Sequence, residues 1–540
     1  MLACWLTLGG CREAARTGAA GGDGTKQNEH SSSTPAAPTA SGATSSAAST
    51  SDAATTRASA SDTADGAPTA WPADRYAAAA PGARIYSMVR HLWIRPSVHH
   101  RGGWLGYLSL GDSVRVKGGD ARLAQAGRGP GGGCEEWYEI EPRGFVCTGA
   151  EASLDANDPR VRELERTKAK STSPWPYRYG ESLGTPVYAS PPTPEEQALR
   201  EPGLVRWRER VLRAAQLSDD ERRTALPELG GVALGPAAGP APQLVELGPL
   251  GRSLAGKVII GSTLAYAGEL DVAGRPFLVT WDRAFVPKDR VRPYAESPFR
   301  GVVLGSGVEL PLAFFRREGG GARYERDGAG AVIVRGPAWE RLAWVALTGK
   351  TETHGGARYL ETKDGAYCRE RDVAVAARAA SLPPKIALAK TGRRSWLDLR
   401  IEAGTLVAYE HERPVYATLI SPGRGGAPLP GIPPLDTAST PTGVFEVLGK
   451  FVTATMTSST VSTLVHAEVQ YTQNFDGPYA LHGAYWHDRW GEKKSAGCVN
   501  LAPIDALRLF AWTDPPVPEG WHGLASRAVA SARTVLWLQK

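Results

Sequence analysis

The sequence predicts a mainly β, modular protein: an N-terminal stretch that cannot fold, several short-stranded β segments, and a sandwich-like β domain at the C-terminal end. Three observations predict it. From Arg12 to Pro81 the chain is Ala, Ser, Thr, Gly and Pro with few branched apolar residues, too little to offset chain entropy by burial. Residues 83–380 carry many short alternating runs separated by Gly-rich turns, the pattern of short strands. From Lys385 onward the alternation becomes regular over longer runs. A chain of 540 residues exceeds what one core supports, so several domains are expected.

The 62 basic and 56 acidic residues leave a formal charge of +6. No Lys/Arg run is interleaved with aromatics, which argues against nucleic acid as a partner. No stretch reaches the roughly 20 apolar residues that a membrane-spanning helix needs. Residues 1–11 hold a short apolar run, and Leu8-Gly9-Gly10-Cys11 resembles a lipobox, although the basic segment that usually precedes one is missing. That resemblance implies a lipid on Cys11, with residues 12–81 as a disordered tether to a cell-envelope, periplasmic protein.

Residues 83–150 contain Trp93-Ile94-Arg95, Ser113-Val114-Arg115-Val116, Trp137-Tyr138-Glu139-Ile140 and Gly144-Phe145-Val146. Together they resemble a bacterial SH3-like barrel. Cys134 and Cys147 bracket a hairpin-like segment and are candidates for a disulfide in an exported protein, which would contribute about 3 kcal/mol. Spacing alone leaves open the alternative of two half-buried thiols. Cys368 and Cys498 have no evident partner, and no CxxC spacing occurs, so neither a metal nor another cofactor is expected.

Residues 158–230 are charged and Pro-rich and read as a connector, with one amphipathic helix candidate from Pro194 to Leu217. Residues 250–380 read as a middle β region. Within it Asp282-Arg283-Ala284-Phe285-Val286 and Asp364-Gly365-Ala366-Tyr367-Cys368 echo each other at a spacing of 82 residues, each closed by a Val, at 291 and 373. Either two related, SH3-like units or one irregular β domain fits this echo.

Residues 384–540 supply the strands Ser395–Arg400, Thr405–Glu410, Val415–Ile420 and Thr534–Leu538, and a helix from Pro503 to Trp512 that opens on a proline. Four ordered elements lie here. Val407-Ala408-Tyr409 through Ile420-Ser421-Pro422-Gly423 comes first, then Thr440-Pro441-Thr442-Gly443-Val444-Phe445. His482-Gly483 follows, then Ser495-Ala496-Gly497-Cys498-Val499-Asn500-Leu501, with Cys498 sixteen residues after the His. They resemble the L,D-transpeptidase (YkuD-type) signature over about 155 residues. The resemblance implies a β-sandwich catalytic domain acting on peptidoglycan stem peptides, in cell-wall biogenesis and the maintenance of cell shape.

The residues support such chemistry. Acyl transfer needs a nucleophile that attacks an amide, holds the acyl group and yields it to an amine, which a thiolate does well. Cys498 is the candidate, and His482 the base that ionises it, because a thiol of pKa near 8.5 is mostly protonated at neutral pH. A hairpin from Leu481 to Cys498 would set them on adjacent strands. By resemblance the third member is the backbone carbonyl of Gly483. Gly497 and Cys498 N–H groups are expected to face the oxyanion, with Ser495 shaping the turn and Ala496 standing where many members carry His. Asn500 is expected to orient substrate or the loop, and Tyr485 and Trp486 to wall the cleft.

The expected reaction is attack on the L,D amide of a tetrapeptide stem, loss of D-Ala, and transfer of the thioester to an amine. The product is a 3→3 crosslink or an attached envelope protein. Two alternatives remain open from sequence: hydrolysis by water, as an L,D-carboxypeptidase, and a wall-binding scaffold with an inactive catalytic domain.

Overall fold

The structure, a computed structural model, describes residues 82–98, 103–128, 134–238, 256–388, 393–458, 464–526 and 532–540. Cys11 and the whole of the expected tether, residues 12–81, lie outside them. Strands predominate, and among the described residues no helix is long and apolar enough to cross a membrane.

Residues 83–150 do not form a separate module. Six strands run in the order Ser113–Arg115, Arg84–Ser87, Ala152–Ser153, Phe145–Gly149, Cys134–Glu139, Gln125–Arg128. Cys134 and Cys147 are disulfide-bonded across this sheet, Cα atoms 5.6 Å apart. The hairpin Leu92–Ile94 and Gly106–Leu108 leaves it and extends a C-terminal sheet by pairing with Gly523–Ala525. Tyr107 packs there on Phe451 and Ala454 beside Trp93 and Trp104. The backbones meet so closely that a Cβ on Gly106 would lie 2.3 Å from the Gly523 carbonyl oxygen. Asp112 accepts from the buried His522 Nδ1 at 3.0 Å, so the junction is polar as well as apolar.

The charged segment 158–230 is no connector either. Its strand Arg178–Ser182 lies inside a five-stranded sheet, between Thr263–Val272 and Val291–Pro293. The expected single helix is two, Pro194–Arg200 and Leu204–Ala214. Pro202 cannot continue the first, and Gly203 turns with φ of 84°. Charge misleads here because it is buried in pairs. Arg275 binds Glu201 at 2.7 Å and Asp289 at 2.9 Å, with the Arg275 and Glu201 side chains 3% and 2% exposed.

The 82-residue echo marks two turns that fold alike. Thr280 N–H donates to Ala284 O at 2.9 Å and Thr362 N–H to Ala366 O at 2.8 Å, while each Thr hydroxyl bonds Asp282 or Asp364. A 3-10 turn follows in each case, Lys288–Arg290 or Glu370–Asp372, and then a strand beginning at Val291 or Val373. The two copies belong to different sheets, of five and seven strands. Cys368 is fully buried in the second unit, and burial pushes its thiol up to about 12.

The C-terminal region holds two sheets. One has the order Val302–Val303, Arg413–Leu419, Thr405–Glu410, Ser395–Arg400, Val535–Gln539, Gly443–Glu446. Trp396 stacks on Tyr409 within its core, centroids 4.2 Å apart. The other runs from the Leu92–Ile94 hairpin through Gly523–Ala525, Gly449–Ser458, Leu464–Asp476 and Tyr479–Gly483 to Val499–Leu501. The boundary expected at 384 is therefore crossed, because Val302–Val303 and the 92–108 hairpin complete sheets of this region. The helix Pro503–Trp512 ends on the buried Lys450, whose Nζ donates to the carbonyls of Phe510 and Thr513 at 2.6 and 2.8 Å.

Candidate active site

Tyr479–Gly483 and Val499–Leu501 are neighbouring parallel strands, with Leu481 opposite Val499 and His482 opposite Asn500. The expected hairpin is thus a parallel pair. The intervening segment has to travel back, and it is pinned by the buried Trp490 and by Lys494 and Ser495 N–H donating to the Pro422 carbonyl. Because side chains alternate along a strand, the parallel register sets His482 and Asn500 on one face, and Cys498 stands in the bend immediately before the second strand.

His482 is 3% exposed. Its Nδ1 donates to the Gly483 carbonyl at 2.8 Å and its Nε2 accepts from Asn500 Nδ2 at 3.1 Å. Burial lowers its pKa to about 4, His466 and His487 add to this, and the Gly483 carbonyl opposes it. At neutral pH the ring is therefore a neutral base. Cys498 is half-buried and carries a thiol rather than a disulfide. Its Sγ donates to the Pro478 carbonyl at 3.7 Å and packs beside Met456, Val469, Ala480 and Trp486.

Ser495 builds the turn before Cys498. Its hydroxyl donates to the Cys498 carbonyl and accepts from Gly497 N–H at 3.0 Å. The Gly497 amide is thus engaged within the turn, which corrects its expected place as an oxyanion donor. Gly497 is required for another reason. Its φ is +134°, and a Cβ there would lie 2.7 Å from the Tyr479 ring. Thr440, from the Thr-Pro-Thr-Gly segment, clamps the same turn by donating to Gly497 O at 2.9 Å and accepting from Gly423 N–H at 2.8 Å. Ala496 is exposed.

Two expected substrate contacts are corrected. Tyr485 is 2% exposed and stacks on Tyr179; its hydroxyl bonds Thr263 Oγ1 and the Ala467 carbonyl at 2.5 and 2.6 Å. A ring with a polar tip serves well where two regions meet, and this one joins the middle region to the long strand Leu464–Asp476. Asn500, 2% exposed, spends its amide on His482 and His487. Trp486 is half-buried and flanks the site, its ring 4.5 Å from that of His466 and 5.9 Å from that of His482.

Two more residues complete the site: His487, which the sequence offers with His466 as a rival to His482 or as its supporting partner, and Tyr479, which carries no signal in the sequence. His487 Nε2 lies 3.3 Å from Asn500 Oδ1. Tyr479 buries a hydroxyl that has no hydrogen-bond partner among the described residues, and burial, with Cys498 next in effect, raises it to about 12. Among the described residues no group of three or more His, Cys, Asp or Glu is placed to hold a metal.

Residues 394–518 match the YkuD family, the L,D-transpeptidase catalytic domain. No curated protein matches the chain. Similar solved structures include an L,D-transpeptidase from Enterococcus faecium, at 20% identity over 31% of this chain and 55% of that one, TM-score 0.21. Another is an L,D-transpeptidase from Xylanimonas cellulosilytica, at 20% identity over 28% and 63%, TM-score 0.19. A third, from Mycobacterium smegmatis, has 15% identity over 36% and 82%, TM-score 0.21. The chain thus spans 55% and 63% of the first two chains' own length. The assignment of residues 394–518 rests on the family match and not on these overlaps.

Proposed function

We propose that the protein is a peptidoglycan L,D-transpeptidase that forms 3→3 crosslinks through a thioester on Cys498. The observation that supports this most is the register of Tyr479–Gly483 on Val499–Leu501, together with the His482 Nδ1 to Gly483 carbonyl bond of 2.8 Å. That bond leaves the lone pair of the base on Nε2, the nitrogen away from the carbonyl.

In the first half-reaction His482 Nε2 takes the Cys498 proton and the thiolate attacks the carbonyl carbon of the L,D amide. The tetrahedral intermediate collapses as His482 returns the proton to the departing D-Ala amine, leaving the thioester. In the second, an amine from a neighbouring stem attacks the thioester, His482 removes its proton, and the thiol is restored. An amine on an envelope protein serves the same chemistry. With water as acceptor the outcome is trimming to a tripeptide. The scaffold reading requires a site that cannot be acylated. We also read Cys11 as the lipid attachment point that holds the enzyme in the envelope.

Incubation of the full chain with a tetrapeptide muropeptide, followed by mass spectrometry, tests the proposal. Crosslinked dimers that vanish in Cys498→Ala support it. Trimmed tripeptides alone would show a carboxypeptidase, and an unchanged substrate with no carbapenem adduct on Cys498 would leave the scaffold.

A further inference from the structure

His487 is neither the nucleophile nor the base, yet a continuous run of hydrogen bonds leads from it to the base. The Arg489 backbone N–H donates to His487 Nδ1 at 3.2 Å. A ring nitrogen that accepts carries no proton, so a neutral His487 is protonated on Nε2. Burial keeps it neutral, lowering its pKa to about 4. Its Nε2–H faces Asn500 Oδ1 at 3.3 Å and donates. With the amide oxygen taken, Asn500 presents Nδ2 to His482 Nε2 at 3.1 Å. His482 Nε2 therefore accepts, and the His482 proton sits on Nδ1, donating to the Gly483 carbonyl at 2.8 Å.

Each link admits one assignment of donor and acceptor. Rotating the Asn500 amide by half a turn would set N–H against N–H at His487 and oxygen against a lone pair at His482. Asn500 and His482 are 2% and 3% exposed, so water cannot relieve the mismatch, and both contacts would be left unpaired in the interior.

We propose that His487 is a positioning residue: acting through Asn500, it fixes the tautomer and ring orientation of His482 and keeps Nε2 unprotonated, its lone pair held by the Asn500 amide until the Cys498 proton displaces it. This rests on the reading of Cys498 and His482 as nucleophile and base. When His482 takes that proton, Nε2–H faces the Asn500 amide donor and the bond between them breaks. The resting site is thereby held as thiol and neutral imidazole, and the ion pair forms as substrate arrives.

The test compares the full-length wild type with His487→Phe, which keeps a ring but donates nothing, and with His487→Gln, whose amide can donate to Asn500. Steady-state turnover of tetrapeptide muropeptide and nitrogen NMR of the histidine rings are both read. In His487→Phe, kcat should fall about a hundredfold, the scale of a misplaced catalytic group, with little change in KM. His487→Gln should recover most of the loss. In the wild type His482 should show an unprotonated Nε2, and in His487→Phe a mixture of tautomers. A His487→Phe enzyme with wild-type kcat, or a Gln variant as slow as the Phe variant, would overturn the proposal. If wild type turns over nothing, the functional reading fails instead, and the NMR comparison still decides the relay. Should His487→Phe not fold, Asn500→Asp replaces it: its carboxylate should draw a proton onto His482 Nε2, and a ring that stays bare there sinks the idea.

Discussion

The ring of Tyr179 lies on the ring of Tyr485, centroids 3.8 Å apart and planes 13° from parallel. Tyr179 comes from the charged segment and Tyr485 from the strand-return segment beside the site, so the stack ties the middle of the chain to its catalytic end. Both rings are buried, and the Tyr179 hydroxyl also donates to the Glu468 carbonyl at 3.0 Å.

Tyr485→Ala should therefore destabilise the C-terminal region by about 3–5 kcal/mol, as loss of a large buried aromatic does. Tyr485→Phe, which removes only the hydroxyl contacts, should cost about 1–2 kcal/mol. Urea unfolding followed by tryptophan fluorescence measures both. Folded Tyr485→Phe should keep its muropeptide turnover, since the ring does not face the cleft.

His482→Gln keeps a polar side chain but cannot relay a proton. Carbapenem acylation of Cys498, followed by intact-mass spectrometry, should slow by about 10²–10⁴-fold. Acylation at the wild-type rate would remove His482 from the chemistry.

Acid should weaken the fold above the range where carboxylates titrate. His91, His466, His482 and His487 are each lowered to about 4, with burial the leading cause. Between the unfolded value of 6.5 and about 4 the unfolded chain binds protons that the folded chain refuses. Stability is thus present above 6.5 and is lost as pH falls, by up to about 1.4 kcal/mol per pH unit for each such histidine. His522 acts in the opposite sense: burial alone would lower it, but Asp112 outweighs this and raises it. Urea midpoints between pH 7 and 4.5 check the slope, which should be shallower in His466→Phe.

Lys450 offers a separate check on the fold. Its ammonium is buried and satisfies the last carbonyls of the helix Pro503–Trp512. Lys450→Met retains the length but not the donors, and should cost about 3 kcal/mol. Circular dichroism melting would register it, and an unchanged midpoint would mean that water replaces the ammonium.

Much of the candidate site was legible because its candidate groups sit in two short runs. His482-Gly483 and Ser495 to Leu501 name a thiol, an imidazole and a glycine in a spacing that few packing cores would need. The turn at Thr280 and its copy at Thr362 could also be read, since a local hydrogen-bonded turn is written in adjacent residues. Tyr485 lies elsewhere than expected because an aromatic next to the candidate base looks the same in sequence whether it faces a cleft or a domain junction. The segment 158–230 differs from its expectation because sequence shows Glu201 as a charge without showing that it meets Arg275 from the middle region in a buried pair.

By itself the sequence determined the β character, the nucleophile and base candidates and the turn that presents the thiol, because each depends on residues close along the chain. Only the tertiary structure decided which distant segments complete the sheets and that His487 reaches His482 through Asn500. Those contacts join residues whose separation in sequence carries no periodic or local signal, and they exist because burial leaves each polar atom a single partner that fits.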